Sequence, residues 1–217
     1  MTVRTLASRA LPGLVALGLG GSAGLGGCVW PMMSPENSLP RLVTLYGQAL
    51  LPDDYVVAAE SLPAPRTFRS RLSRLDGSVL AVGSITTDTG DFSVNVPVTA
   101  LSASTTLYEV SLLDPSDQPV YRGLVRLSAR TSETGLTLSA ASTTVALAAQ
   151  AFKRSGRDPS NWDPEALSQI ASVKTSAQQY ASQLARWSSQ SRNVSPPSAP
   201  PEPSASAIAS IIAVAAR

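Results

Sequence analysis

Histidine is absent from all 217 residues, and cysteine occurs once, at Cys28. The first absence removes the commonest general base, the commonest metal ligand and every Ser-His-Asp triad. The second leaves Cys28 with no disulfide partner within the chain. Lysine is scarce as well: Lys153 and Lys174 are the only two, so arginine supplies nearly all the positive charge. Planar guanidinium groups suit phosphate recognition, although the base composition of a GC-rich genome produces the same bias. Aromatic residues make up 5% of the chain, too few for a row of sugar-stacking rings on one face. Beyond the apolar amino-terminal run, where Gly20-Gly21-Ser22-Ala23-Gly24 has the bare spacing without a strand before it, no Gly-x-Ser-x-Gly elbow, Ser-x-x-Lys nucleophile motif, phosphate loop or dinucleotide fingerprint occurs. Catalysis would have to rely on carboxylates, on Ser or Thr with Lys, or on Tyr. The composition therefore weighs against an enzyme, and no cofactor or metal is expected.

What is present begins at the amino terminus. Arg4 and Arg9 precede an apolar Gly/Leu/Ala run that ends in Leu25-Gly26-Gly27-Cys28. A basic n-region, a short apolar h-region and small residues before a break describe a secretory signal peptide. The glycine-rich run from Ala10 to Gly27 falls short of the roughly 20 mostly apolar residues that a stable span needs. The Leu-Gly-Gly-Cys end resembles the bacterial lipoprotein signal. That resemblance implies cleavage between Gly27 and Cys28, lipidation of the Cys28 sulfur by palmitate-like acyl chains, and acylation of the new amino terminus. An acylated Cys28 is neither a nucleophile nor a thiolate metal ligand. Val29 follows, where lipoproteins kept in an inner membrane often carry Asp, so the same resemblance favours the outer membrane.

Of the 17 basic residues, Arg4 and Arg9 lie within the first 27, which leaves 15 against 15 acidic residues. A near-neutral chain without a concentrated cationic face is not expected to bind nucleic acid. Residues 28–40 contain Pro31, Pro35 and Pro40 and read as a spacer between lipid and fold.

From 41 to 139 the pattern is β. Leu42–Leu50, Tyr55–Glu60, Thr67–Ser73, Ser78–Thr86, Phe92–Val96, Thr106–Leu113, Pro119–Leu127 and Leu136–Leu138 read as short strands between turn signals. Phe68 and Leu72 alternate with Arg69 and Arg71. Phe92, Val94 and Val96 alternate with Ser93 and Asn95. Tyr121, Gly123, Val125 and Leu127 alternate with Arg122, Leu124 and Arg126. In Thr87-Asp88-Thr89-Gly90 the glycine suits a type I turn followed by a left-handed bulge. Short strands without intervening helices predict an antiparallel β-sandwich. The segments Leu45-Tyr46-Gly47-Gln48-Ala49, Gly77-Ser78-Val79-Leu80 and Thr87-Asp88-Thr89-Gly90-Asp91-Phe92-Ser93-Val94 resemble the carboxypeptidase regulatory-like family. The resemblance implies a transthyretin-type sandwich serving as a binding, spacing or structural module; the Tyr55–Leu75 stretch departs from it.

Residues 140–190 read as a helical hairpin. Ser142 is placed as the cap of a helix over Thr143–Arg154, ended by Gly156, and Asp163-Pro164-Glu165 starts a second helix that runs to about Gln190. Leu167, Ile170, Val173, Ala177, Tyr180, Leu184 and Trp187 form one apolar stripe. Leu167, Ile170, Tyr180, Leu184 and Trp187 are the expected partner-binding surface if the sandwich does not bury them. Pro196–Pro203 reads as a disordered proline-rich linker. The apolar segment Ala207–Ala216, with Ile208, Ile211, Ile212 and Ala215 on one face, is read as a loosely docked tail.

Two carboxylate pairs, Asp88 with Asp91 and Asp114 with Asp117, could form a calcium site or an acid/base pair, but Asp is also a turn former and that reading outweighs the other. Arg66, Arg69, Arg71 and Arg74 with Phe68 could meet lipid phosphates, anionic glycans or an acidic partner, or could simply be an exposed strand face. Trp30, Trp162, Trp187, Tyr46, Tyr55, Tyr108 and Tyr121 are the possible sugar-stacking groups. The expectation is a non-catalytic, lipid-anchored envelope protein that binds another protein or a surface polymer. The alternatives are a hydrolase using carboxylates such as Asp88 and Asp91, or an assembly lipoprotein for an outer-membrane complex.

Overall fold

Seven strands hydrogen-bond in the order β6-β5-β2-β3-β4-β1-β7 in the computed structural model, which describes residues 40–50, 68–85, 90–114, 116–191 and 200–215. Cys28, the tether and the Tyr55–Glu60 segment lie outside the described residues. The strands are β1 (Leu42–Ala49), β2 (Arg69–Arg74), β3 (Val79–Ile85), β4 (Asp91–Pro97), β5 (Thr106–Leu113), β6 (Pro119–Leu127) and β7 (Glu133–Leu138). β3 and β4 share only Ser84↔Ser93 and Ile85↔Phe92. At that narrow junction the sheet folds into two leaves, β6-β5-β2-β3 and β4-β1-β7. Their inner faces meet in one core that includes Val43, Leu45, Leu72, Val94, Val110, Tyr121 and Leu138. The fold is an unclosed β-sandwich followed by helices.

The alternation read from the sequence sets these faces. In β4, Phe92, Val94 and Val96 are buried and the residues between them exposed. Gly90 has φ +72 and accepts a 2.8 Å hydrogen bond from the Ala49 N–H, as the expected left-handed glycine should. Gly47 lets β7 approach β1, since a Cβ there would lie 1.9 Å from the Leu136 carbonyl oxygen. One pairing departs from the antiparallel expectation: β7 runs parallel to β1, with Tyr46↔Gly135 and Ala49↔Leu138 in register. After β6 the chain turns through Ser128–Thr131, held by Thr131 N–H donating to the Ser128 carbonyl at 3.0 Å. It crosses to the second leaf and enters beside β1 in the same direction.

The helices are α1 (Ala140–Arg154), α2 (Pro164–Ser168), α3 (Ala171–Ser191) and α4 (Ala205–Ala215). They belong to the same compact unit as the sandwich. α1 starts three residues earlier than expected. Ser139 is its cap: the Ser139 hydroxyl accepts from the Ser142 N–H at 3.2 Å, and the Ser142 hydroxyl closes the capping box by accepting from the Ser139 N–H at 2.8 Å. Asp163 caps α2 as expected, accepting from Glu165 N–H at 3.1 Å and Ala166 N–H at 3.2 Å. The anticipated single helix is interrupted at Gln169-Ile170, so that Leu167 and Val173 both reach one apolar cluster with Phe152 and Trp162.

This arrangement overturns the partner-surface expectation. Leu167, Tyr180, Leu184 and Trp187 are buried and Ile170 packs partly buried against the core. The apolar stripe is the seat of α2 and α3 on the sandwich and on α1. The carboxy-terminal expectation changes too. Of the proline-rich stretch, 200–203 are among the described residues and Pro203 is buried, and α4 docks with Ile211 at 0% exposure. Ile208, Ile212 and Ala215 flank Ile211 as the sequence pattern suggested. The surface they meet is the chain's own helical layer.

Candidate functional site

β6 and β7 end the hydrogen-bonded strand order, and helices reach across from them. The Thr143 hydroxyl accepts from the Arg122 N–H at 2.9 Å, and the Ser142 hydroxyl donates to the Arg122 carbonyl at 2.7 Å. The Tyr180 hydroxyl donates to the Val120 carbonyl at 2.7 Å. Side chains of α1 and α3 thus satisfy part of the β6 edge, a way of blunting strand addition. Further along, an open groove of about 1320 Å³ lies between β7, the end of β6 and the starts of α1 and α2. Leu124, Leu136 and Phe92 give it an apolar lining, and Arg126, Asp163 and Lys174 are among its charged groups. Two of these charges are employed structurally: Arg126 donates to the Trp162 carbonyl at 2.5 Å, and Asp163 caps α2. Tyr46, 47% exposed, stands where a Cβ on Gly135 would meet its ring at 3.4 Å.

The sequence candidates are dispersed rather than assembled. Asp91 is exposed on β4 and lines the groove; Asp88, Arg66, Trp30, Tyr55, Gly27 and Cys28 lie outside the described residues. Asp114 is buried and accepts from Ser116 N–H at 2.8 Å and Gln118 N–H at 2.9 Å, which is turn chemistry. Asp117 turns away to pair with Arg69. Among the described residues no group of three Asp, Glu or Cys is placed to hold a metal ion. Trp162 packs on Phe152 at 5.0 Å, with Arg157 over the Phe152 ring at 5.3 Å. Trp162, Trp187, Tyr108 and Tyr121 are all buried, which leaves Tyr46 as the exposed aromatic among those described. No family model matches the chain, and no curated protein matches it either.

The sequence reading missed a buried polar cluster. Glu109 is 2% exposed, on the outer face of β5 where α1 packs. Its Oε1 accepts from Arg122 Nη1 at 2.8 Å and Ser111 Oγ at 2.7 Å, and its Oε2 from Gln150 Nε2 at 2.5 Å. The signal was available: Glu109 is the one charged residue of the Thr106–Leu113 strand. A buried carboxylate requires such partners.

Burial pushes the Tyr121 and Tyr180 phenols up, and for Tyr180 the nearby Tyr121 adds to the rise. Neither is suited to proton transfer near neutrality. A raised folded value means that the stability contribution is complete below about pH 10, the ordinary tyrosine value, and is lost as pH climbs above it. Each such group should steepen the loss by about 1.4 kcal/mol per pH unit. Tyr180→Phe is therefore expected to be less stable at pH 7, through the lost bond to Val120, yet to lose stability more slowly above pH 10. Urea unfolding between pH 7 and 11 checks this; parallel slopes for the two proteins would contradict it.

Proposed function

We propose that this protein is a lipid-anchored, non-catalytic binding or structural module of the bacterial envelope, held at the outer membrane through Cys28. The observation that carries the reading is Leu25-Gly26-Gly27-Cys28 after Arg4, Arg9 and the short apolar run. No helix among the described residues is long and apolar enough to cross a membrane. Glu109, Asp114, Asp117 and Asp163 each have a structural partner, while Asp91 and Glu165 line the groove. A protein partner or a surface polymer would meet the sandwich at the groove beside β7.

One acyl chain gives marginal membrane binding and stable anchoring takes more than one signal, so loss of the modified sulfur should have a large effect. Cys28→Ala is expected to move the protein from the membrane pellet to the soluble fraction. The intact mass of the wild type should show a chain beginning at Cys28 with added acyl groups. Quantitative pelleting of the variant, or an unmodified Cys28 in the wild type, would end this reading.

A further inference from the structure

The outer face of β2 holds two polar groups sealed from solvent without hydrogen-bond partners, Arg71 Nε and Ser73 Oγ. Arg71 and Ser73 share one side of the strand, while Ser70 and Leu72 are buried on the other. By register, Arg122, Ser111 and Arg71 form one row across β6, β5 and β2, and Glu109 stands opposite Ser73. Buried polar atoms are almost always paired, so two orphans side by side mark a missing acceptor.

The neighbouring acid already has its donors. Glu109 accepts from Arg122, Ser111 and Gln150, which leaves no net negative charge facing Arg71. The other β2 arginines are also occupied: Arg69 pairs with Asp117, and Arg74 donates to the Ala100 carbonyl at 3.2 Å. Among the described residues Arg71 takes part in no ion pair. A guanidinium fork beside a 4%-exposed hydroxyl is a donor set for an oxyanion.

We propose that the outer face of β2 binds a phosphate group, with Arg71 and Ser73 as donors. The phosphate could belong to a lipid headgroup or to free phosphate, and the donor chemistry is the same for both. The inference stands on the fold alone; the envelope reading bears only on which source applies.

The test uses the full chain with Cys28→Ala, so that no acyl anchor contributes. Inorganic phosphate is followed by equilibrium dialysis, and vesicles with and without phosphatidylglycerol by flotation. Saturable phosphate binding is expected, weakened about tenfold or more by Arg71→Gln, as for a lost charged hydrogen bond, and less by Ser73→Ala. Arg130→Gln, an exposed turn arginine, should leave it unchanged. Arg71-dependent flotation with phosphatidylglycerol assigns a headgroup; phosphate binding without flotation assigns free phosphate. Absence of both, or equal weakening by Arg130→Gln, overturns the proposal. So does a Ser73→Ala chain that melts higher with unchanged phosphate affinity, because the hydroxyl is then a passenger. None of these outcomes depends on whether Cys28 is acylated in the wild type.

Discussion

A chain carrying Tyr180→Ser and Trp187→Ser together is expected to lose its cooperative fold. Both side chains belong to the sandwich core, at 2% and 7% exposure. Truncating a buried Trp costs about 3–5 kcal/mol. Loss of Tyr180 removes comparable packing and leaves the Val120 carbonyl, its 2.7 Å partner, without a donor; an orphaned buried group costs a further ~1–3 kcal/mol. The sum is comparable with the whole stability of a typical domain, about 5–15 kcal/mol. Tyr180 also meets Tyr121 edge-to-face, with ring centroids 6.4 Å apart, so its removal loosens β6 as well as α3. Near-ultraviolet circular dichroism and urea unfolding provide the check. A cooperative melt near the wild-type midpoint would show that α3 contributes little to the core and that its apolar face is available to a partner after all.

That experiment turns on a limit of sequence reading. The period of Leu167, Tyr180, Leu184 and Trp187 establishes an apolar helix face, but period is silent on what covers it. In this chain the cover is β6, the sandwich core and α1. α4 shows the same limit in reverse. A terminal segment is loose unless it is tied down, and an 11-residue helix is marginal in isolation; packing of Ile211, flanked by Ile208 and Ile212, against the helical layer supplies the tie.

Local signals did better. β5 and β6 have the boundaries read from their flanking turns, and β4 has the faces its alternation implied. Gly90 and the Asp163-Pro164 start each carry their chemistry within a few residues. The α1 cap was misplaced between two serines of one capping box, Ser139 and Ser142, because either can open a helix in isolation. The parallel β7 was not legible, since its partner β1 lies some 90 residues away in sequence and non-local pairing leaves no local pattern. Of the candidate residues, the Asp114 turn was readable, whereas the position of Arg71 beside Ser111 and Ser73 emerges only from strand register.

Removing Arg122 should be far more damaging than neutralising the acid it faces. Arg122→Ala leaves Glu109 buried, its side chain 3% exposed, with only the neutral donors Ser111 and Gln150. Breaking a buried pair this way costs about 3–5 kcal/mol. The reverse change is gentler. Glu109→Gln keeps an acceptor for Arg122 or Ser111, and the Arg122 side chain, 18% exposed, retains some access to water. In the doubly changed chain no charge of this pair remains buried, so it should recover part of the Arg122→Ala loss and give a coupling energy above about 1 kcal/mol. Urea unfolding of the four proteins measures this directly. If Arg122→Ala lies within about 0.5 kcal/mol of wild type, as an ordinary surface change would, the pair is incidental. In that case α1 is held to the sheet by the apolar contacts of Leu107, Leu124, Val145 and Phe152 and by the Ser142 and Thr143 bonds to the Arg122 backbone. If the full loss is seen, the buried carboxylate is a tie between strands: it holds β5 to β6 through Arg122 at 2.8 Å, while its one bond to α1 comes from Gln150 Nε2 at 2.5 Å.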